Sequence, residues 1–134
     1  MNIISEIKEL NLPLGQYVVF GSGPLVIHGI RETRDIDLLV TKELYSQLKN
    51  EVWEEKELDS GGNYLSKDVI EVDDSWSYGS YNPAPEEIIA KAEIHHGIPF
   101  APLTEVLKWK EAFGRPKDIQ DAELIKEYID RTGQ

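Results

Sequence analysis

The fold is decided by residues 17–40, YVVFGSGPLVIHGIRETRDIDLLV, in which two apolar runs flank a glycine turn and a pair of acids. The first run, Tyr17–Phe20, has the composition of a short buried strand. After the glycine turn at 21–23, Pro24 suits the first position of a helix, where its missing N–H needs no partner. The second run, Ile36–Val40, predicts another strand. The stretch therefore predicts a strand, a short helix and a second strand in succession.

Asp35 and Asp37 are the residues of this stretch that most strongly indicate chemistry. Side chains at i and i+2 of a strand point to the same face, with Cα atoms roughly 6.5–7 Å apart. The alternate positions form the opposite, core-facing set: Ile36, Leu38 and Val40. Carboxylates on one face repel each other unless a cation neutralises them, and Mg²⁺ prefers such oxygen ligands. The pair therefore indicates a metal site, with a solvent-facing polar edge balanced by Arg31 and Arg34 as the alternative.

The glycine turn offers backbone N–H groups to an anion at the start of a helix. A tight turn that needs glycine dihedral angles would have the same sequence, so the turn alone is weak evidence for an anion site. Val26 stands where a dinucleotide-binding fingerprint needs Gly or Ala, and no Walker loop is present. An anion site close in sequence to a metal site nevertheless suggests chemistry on a nucleoside triphosphate.

A third carboxylate would complete a two-metal site, in which ions about 3.5–4 Å apart stabilise the attacking and leaving oxygens. The predicted strand Asp68–Val72 alternates, so Glu71 takes the open face if its apolar neighbours face the core. An ordinary exposed strand glutamate is the alternative. We expect Asp73 and Asp74 to lie in the following loop.

Lys110 falls on the apolar stripe of a predicted helix over Thr104–Phe113. A lysine there either extends its ammonium group to the surface or points it inward at an anion. Arg115 or Lys117, which follow, could also neutralise a triphosphate.

Other polar and aromatic residues are expected to have structural roles. Asp118 and Asp121 are expected to cap the last helix, Lys117–Asp130, one at its start and one in its first turn. No histidine shows metal-ligand spacing with an identifiable partner, and packing or surface positions are expected for His28, His95 and His96. Core or pocket-wall positions are expected for Trp53, Trp76 and Trp109.

The remaining chain predicts strands and helices mixed along its whole length. Helices are predicted at Ile3–Leu10, from the Thr41 cap to Leu48, and at Pro85–Ala92. Strands are predicted at Val52–Leu58 and Tyr64–Leu65, and a strand or hairpin arm at Glu93–Phe100. This pattern predicts one α+β domain over residues 1–134, with helices packed on a mixed sheet.

The composition limits the partners and the cellular location that we expect. A net charge of −11 argues against a broad nucleic-acid surface, which needs clustered Lys and Arg. The absence of cysteine excludes a disulfide framework, a Cys-ligated zinc and thiol catalysis, and is compatible with the cytoplasm. No signal peptide or membrane span is recognisable. A small-molecule or protein substrate is therefore expected, without nucleic acid or membrane as partner.

The glycine–serine turn, the short helix and the strand that carries Asp35 and Asp37 resemble the signature of the DNA polymerase β-type nucleotidyltransferase superfamily, in particular its minimal, AbiEii-like bacterial members. Residues 31–34 before the acids are similar to a pattern there, as is Lys110 followed by residues 114–118 and Asp121. The resemblance covers about residues 16–128.

The resemblance implies a mixed sheet flanked by helices and Mg²⁺-dependent transfer of a nucleoside monophosphate from a triphosphate such as ATP to a hydroxyl or similar acceptor. Two Mg²⁺ ions are expected. The catalytic and metal-binding residues would be Asp35, Asp37 and Glu71, although well-characterised members usually have Asp at the third position. The nucleotide-binding residues would be Gly21, Ser22, Arg34, Lys110 and Lys117.

Two classes of function stay open. The first is a nucleotidyltransferase acting on a small molecule or a protein, favoured by the acid pair and an inward Lys110. The second is a catalytically idle fold that binds a protein partner, for example as the antitoxin-like component of a toxin–antitoxin pair. Glu71 in place of Asp and the lack of an additional acceptor-binding domain favour this second class.

Overall fold

The computed structural model describes residues 2–58 and 61–133, which form one seven-stranded mixed sheet and six helices. The strands are β1 (Tyr17–Phe20), β2 (Ile36–Val40), β3 (Glu54–Glu57), β4 (Asn63–Lys67), β5 (Ile70–Asp73), β6 (Glu93–His95) and β7 (Ile98–Phe100). The helices are α1 (Ile3–Lys8), α2 (Gly23–Ile27), α3 (Lys42–Lys49), α4 (Pro85–Lys91), α5 (Leu103–Phe113) and α6 (Pro116–Thr132). The α+β class and the mixed sheet confirm the sequence prediction. None of the helices within the described ranges has both the length and the apolar content to cross a membrane.

The strand that carries the acid pair is the central strand of the sheet. The strand order is β3-β4-β5-β2-β1-β7-β6, so β2 has three strands on either side. β2 pairs in parallel with β5, and β1 pairs in parallel with β7; the other neighbours are antiparallel. The parallel pairing of β2 with β5 brings residues distant in sequence side by side.

Helices and loops cover both faces of the sheet. The predicted core-facing residues of β2 are fully buried and pack with α1 and α3; they are Ile36, Leu38 and Val40. The opposite face is also buried, because Phe20 and Leu39 pack against side chains of α4, α5 and α6. Burial on both faces explains why these strands read as continuous apolar runs. Asp37 therefore lies half-buried at the end of a second core, whereas Asp35, which precedes the strand, is exposed.

Most predicted boundaries agree with the structure, and the exceptions have local causes. β1 and β2 have the predicted limits, and the Thr41 side chain caps α3 by accepting a hydrogen bond from the backbone N–H of Leu44. The predicted strand Asp68–Val72 begins two residues later, because Asp68 adopts a φ of 55° in the β4–β5 turn. Asp tolerates this left-handed conformation better than most residues.

Candidate active site

Four carboxylates meet at one cleft because of the register between β2 and β5. Asp37 lies opposite Glu71, and Leu39 lies opposite Asp73. Neighbouring strands are about 4.8 Å apart, so register partners hold their side chains close together. Asp35 precedes β2 and lines the same cleft of about 290 Å³. We call Asp35, Asp37, Glu71 and Asp73 the acidic cluster.

Asp73 is a cleft residue that was expected in a loop, and that prediction is wrong. Asp73 is the last residue of β5 and is 8% exposed. Residues i and i+2 of a strand share a face, so Glu71 and Asp73 point to the same side. This alternation is the signal that could have found it.

The acidic cluster is not neutralised by protein cations. No ion pair to any of its four carboxylates is present among residues 2–58 and 61–133. Burial, with the charges of Glu71 and Asp35, raises the pKa of Asp37 to about 7. Burial and neighbouring carboxylates raise the pKa of Asp73 to about 8. Burial and Asp35 also raise the pKa of Glu71. The cluster therefore favours a cation or bound protons.

Gly21 leaves room for the Asp37 side chain because it has no side chain of its own. Gly21 has a φ of 60°, which glycine adopts without a steric penalty. A Cβ atom placed on it would overlap with Oδ2 of Asp37. Glycine is thus needed at position 21 for two reasons: the positive φ and the close approach of the backbone to the Asp37 carboxylate.

Beside the acidic cluster lies a set of paired charges centred on three buried residues, Lys110, Asp118 and Asp121. Together with the half-buried Arg31 and Arg115, we call them the ion-pair network. Lys110 Nζ is 3.2 Å from Asp118 Oδ1 and 2.9 Å from Asp121 Oδ2. Arg115 Nε donates to Asp118 Oδ2 at 2.6 Å, and Arg31 Nε donates to Asp121 Oδ1 at 2.7 Å. Burial alone would raise the pKa of both carboxyls, but hydrogen bonds from these cations hold each pKa below its ordinary value.

Lys110 points inward, which is one of its two predicted orientations. It is 2% exposed, and the anions that it meets are carboxylates of the same chain. Asp118 accepts the backbone N–H of Arg115 at the start of α6, as expected of a capping residue. Asp121 instead binds side chains of Lys110 and Arg31, so the capping prediction is wrong for Asp121.

Arg31 joins the glycine turn to the ion-pair network. Its Nη2 donates to the Ser22 hydroxyl at 2.7 Å and to Asp121 Oδ2 at 2.7 Å. α2, which follows Ser22, has only five residues, so its dipole is small. The groups available to an anion are therefore mainly the Ser22 hydroxyl and the neighbouring cations.

The structure brings most of the predicted site residues to the same cleft. Its lining includes Ser22, Asp35, Asp37, Glu71, Lys110 and Lys117. Gly21 is buried against Asp37, whereas Arg34 is exposed and is not among the lining residues that the structure describes. The individual roles of these residues remain predictions.

An aromatic wall completes the cleft. Tyr78 stacks on Phe113 with ring centroids 4.3 Å apart, and the Arg115 guanidinium lies 3.8 Å from the centre of the Phe113 ring. Trp76 and Trp109 line the cleft, as predicted, and within the described residues their indole N–H groups have no hydrogen-bond partner. Trp53 lies in the core. The wall offers flat apolar surfaces to a bound molecule, while the two indole N–H groups are buried.

Two of the histidines are packed side chains, as expected, but they lie closer to possible metal ligands than their spacing in the sequence indicated. His28 and His95 lie together with Glu93, away from the cleft lining. His28 ends α2, whereas Glu93 and His95 lie on β6. Their approach depends on tertiary contact between distant segments, for which the sequence spacing gives no signal.

The cleft combines hard oxygen ligands, nearby cations and an aromatic wall. Mg²⁺ suits the acidic cluster because these carboxylates form no ion pair within the described ranges and present several oxygens. Ser22 and Lys117 could bind an anion, and the aromatic wall could stack on a planar group. A scan against protein-family models and a search of curated proteins found no match for this chain.

Proposed function

We propose that the protein is a Mg²⁺-dependent nucleotidyltransferase that transfers a nucleoside monophosphate from a triphosphate to a small-molecule or protein acceptor. The observation that carries the proposal is the acidic cluster, whose carboxylates line one cleft without a cationic partner among the described residues. Such an arrangement is stable at neutral pH when cations occupy it. The adjacent ion-pair network has three cations and two carboxylates, so its net charge favours a phosphate group.

Asp35, Asp37 and Glu71 would hold two Mg²⁺ ions, with Asp73 as a further carboxylate beside them. When bound, these ions would neutralise the acids and stabilise negative charge on the reacting phosphate. Gly21 supports this arrangement because it lets the backbone approach the Asp37 carboxylate.

The triphosphate would lie between the glycine turn and the cationic side of the cleft. The Ser22 hydroxyl, which Arg31 already holds, would donate to a phosphate oxygen. Lys117 lines the cleft and has no ion pair in the part of the chain that the structure describes, so its ammonium group is available to a phosphate. The aromatic wall would take the base or part of the acceptor.

Transfer would follow from positioning and charge stabilisation. An acceptor hydroxyl oxygen would attack the α-phosphorus in line, forming the new P–O bond while the bond to the β-phosphate oxygen breaks. Pyrophosphate would leave with the electron pair of that bond. The proton of the hydroxyl would pass to the Glu71 carboxylate, which lines the same cleft.

A catalytically idle, partner-binding fold is the second candidate, and one observation favours it. Lys110, which would contact a triphosphate, and Arg31, which holds Ser22, are already bound by Asp118 and Asp121. If these bonds persist when ligand is added, the cleft lacks part of its phosphate-binding charge. The fold would then act through a protein partner, as in an antitoxin-like component.

A binding titration separates the two candidates. Purified protein is titrated with each of the four ribonucleoside triphosphates in the presence and absence of Mg²⁺, and binding is followed by calorimetry. We expect Mg²⁺-dependent binding that the Asp35→Asn/Asp37→Asn variant loses. Pyrophosphate release on addition of candidate acceptors then tests transfer.

Asp68→Asn is the matched control, since Asp68 is an exposed acid in the β4–β5 turn and asparagine tolerates its φ of 55°. It should bind like the wild type. If no triphosphate binds at millimolar concentration with Mg²⁺ present, nucleotidyl transfer is rejected and the idle fold is supported.

A further inference from the structure

A second cluster of metal-ligand side chains lies outside the cleft. His28 ends α2, and Glu93 and His95 lie on β6, the edge strand next to β7. Glu93 and His95 are two residues apart on one strand, so their side chains share a face. That face meets the end of α2 at His28.

The three side chains have the spacing of metal ligands. One ligand atom from each lies within 4.8 Å of the other two. Glu93 Oε1 is 3.8 Å from His28 Nε2 and 3.6 Å from His95 Nε2. Ligand atoms about 2.05 Å from a tetrahedral zinc ion are roughly 3.3 Å apart, so the two distances to Glu93 exceed this spacing by only a few tenths of an ångström.

Both imidazoles present a buried nitrogen that the protein leaves unused. In the described part of the chain, Nε2 of His28 and Nε2 of His95 have no hydrogen-bond partner. Buried polar atoms without a partner are uncommon and call for an explanation, such as a bound ion. Here both atoms lie near the same Glu93 oxygen, beyond hydrogen-bond distance. A shared metal ion would satisfy both nitrogens and the carboxylate together.

The other ring nitrogen of His28, Nδ1, already contacts another side chain of the protein. Nδ1 of His28 lies 3.3 Å from the Tyr128 hydroxyl on α6. With its proton on Nδ1, the ring can donate to this hydroxyl and leave the lone pair of Nε2 for a metal. The contact is therefore compatible with the tautomer that ligation needs.

We propose that His28, Glu93 and His95 form a binding site for a divalent transition-metal ion of the Zn²⁺ class. Two imidazoles and one carboxylate match the borderline character of Zn²⁺, in contrast to the all-carboxylate acidic cluster. A water molecule would take the fourth position, on the side where the Glu93 side chain is 48% exposed. The ion would join the edge strand β6 to α2.

The test uses the full chain after removal of metals with a chelator. Zn²⁺ is titrated in competition with a chromophoric chelator, and Co²⁺ replaces Zn²⁺ to record the absorption bands of a tetrahedral site. We expect one equivalent of Zn²⁺ and a rise in the melting temperature on binding. Glu93→Gln and His95→Ala should each weaken Zn²⁺ binding by at least about tenfold. Glu93→Gln alters a half-exposed side chain, so it tests binding without risk to the fold.

Two controls locate the site. His96→Asn alters the neighbouring exposed histidine at a φ of 54°, which asparagine tolerates, and should keep wild-type Zn²⁺ affinity. Asp35→Asn/Asp37→Asn should also keep it. Absence of zinc uptake by the wild type would overturn the proposal. So would uptake that survives Glu93→Gln and His95→Ala but is lost in the acid-pair variant.

Discussion

Asp118 and Asp121 in the ion-pair network are each bound by two cationic side chains, whereas the acidic cluster beside them has no cationic partner among the described residues. Asp37 is half-buried and Asp73 is buried, as are Asp118 and Asp121, yet the pKa values of the two groups move in opposite directions. Hydrogen bonds from cations lower the pKa of Asp118, while burial and like charges raise the pKa of Asp37 to about 7. Both carboxylates of the ion-pair network are thus paired with cations of the same chain.

The difference indicates which group serves structure and which serves a ligand. Paired buried charges have their desolvation cost offset by their partners, so they need nothing further. Unpaired buried carboxylates keep an unfavourable repulsion that the fold tolerates. Clusters of this kind are typical of functional sites. Substitutions in the two groups should therefore affect stability with opposite sign.

The largest effect is expected from Lys110→Met, which removes the central cation of the network. Asp118 and Asp121 would remain buried with one cationic partner fewer, and the free energy of unfolding should fall by about 3 kcal/mol. Urea denaturation at pH 7 measures the change. Lys108→Met on the same helix is the control, because Lys108 pairs with Glu105 at 3.3 Å with a side chain that is 61% exposed. Lys108→Met should lower the free energy of unfolding by under about 1 kcal/mol. Equal losses in the two variants would contradict the view that burial makes the ion pairs of Lys110 important for stability.

Gly21→Ala should have the next largest effect, because the added methyl group meets the Asp37 carboxylate and the φ is positive. We expect a loss of about 2–3 kcal/mol and weaker Mg²⁺ binding. Gly29→Ala is matched, since Gly29 has a φ of 71° and an added methyl group would meet nothing within 4 Å among the described residues. It should lose only about 1 kcal/mol, and its Mg²⁺ affinity should not change. Thermal denaturation and Mg²⁺ titration of both variants give the comparison.

Asp37→Asn should stabilise the metal-free protein, and increasingly so as the pH rises. The pKa of Asp37 is raised to about 7 in the folded state. Its contribution to stability is therefore fully present below about pH 4 and is lost as the pH rises through 7. The difference between variant and wild type should grow from pH 5 to pH 8 and reach about 2 kcal/mol.

Urea denaturation across this range, with a chelator present, measures that difference. The lowered pKa of His28 gives a change of opposite sign, but it is present in both proteins and cancels. A difference that stays constant with pH would show that Asp37 is ionised at an ordinary pKa.

The smallest effect on stability is expected from Ser22→Ala, which removes the hydroxyl that accepts from Arg31 at 2.7 Å. Arg31 keeps its two bonds to Asp121, so the cost should be about 1 kcal/mol or less. Triphosphate affinity should fall by about tenfold, since a hydrogen bond to a charged group is lost. Loss of stability without loss of affinity would confine Ser22 to a structural role.

The sequence predicted the local elements well because their signals are local. Tyr17–Phe20 and Ile36–Val40 are short, strongly apolar runs bounded by glycine or charged residues, and both strands have the predicted limits. Thr41 was recognisable as a cap because its side chain binds a backbone group three residues away.

What the sequence could not supply depends on contacts between distant segments. The face of β5 on which Asp73 lies follows from alternation along the strand, but its position beside Leu39 depends on the register with β2. The position of Lys110 on an apolar stripe predicted an inward or surface orientation, but could not identify Asp118 and Asp121 as its partners. The acid pair, by contrast, was recognisable because two carboxylates at i and i+2, at the start of an apolar run, need no tertiary information.

The open edge at β3 has a consequence for solubility. β3 consists of Glu54–Glu57, four consecutive charged residues that are all exposed, and it leaves one side of its backbone unpaired at the border of the sheet within the described ranges. Like charges repel a second copy that would extend the sheet there. This protection depends on ionised glutamates, so it fails as the pH approaches the isoelectric point near 4.6. Mild acid should therefore promote edge-to-edge aggregation while the fold is still intact.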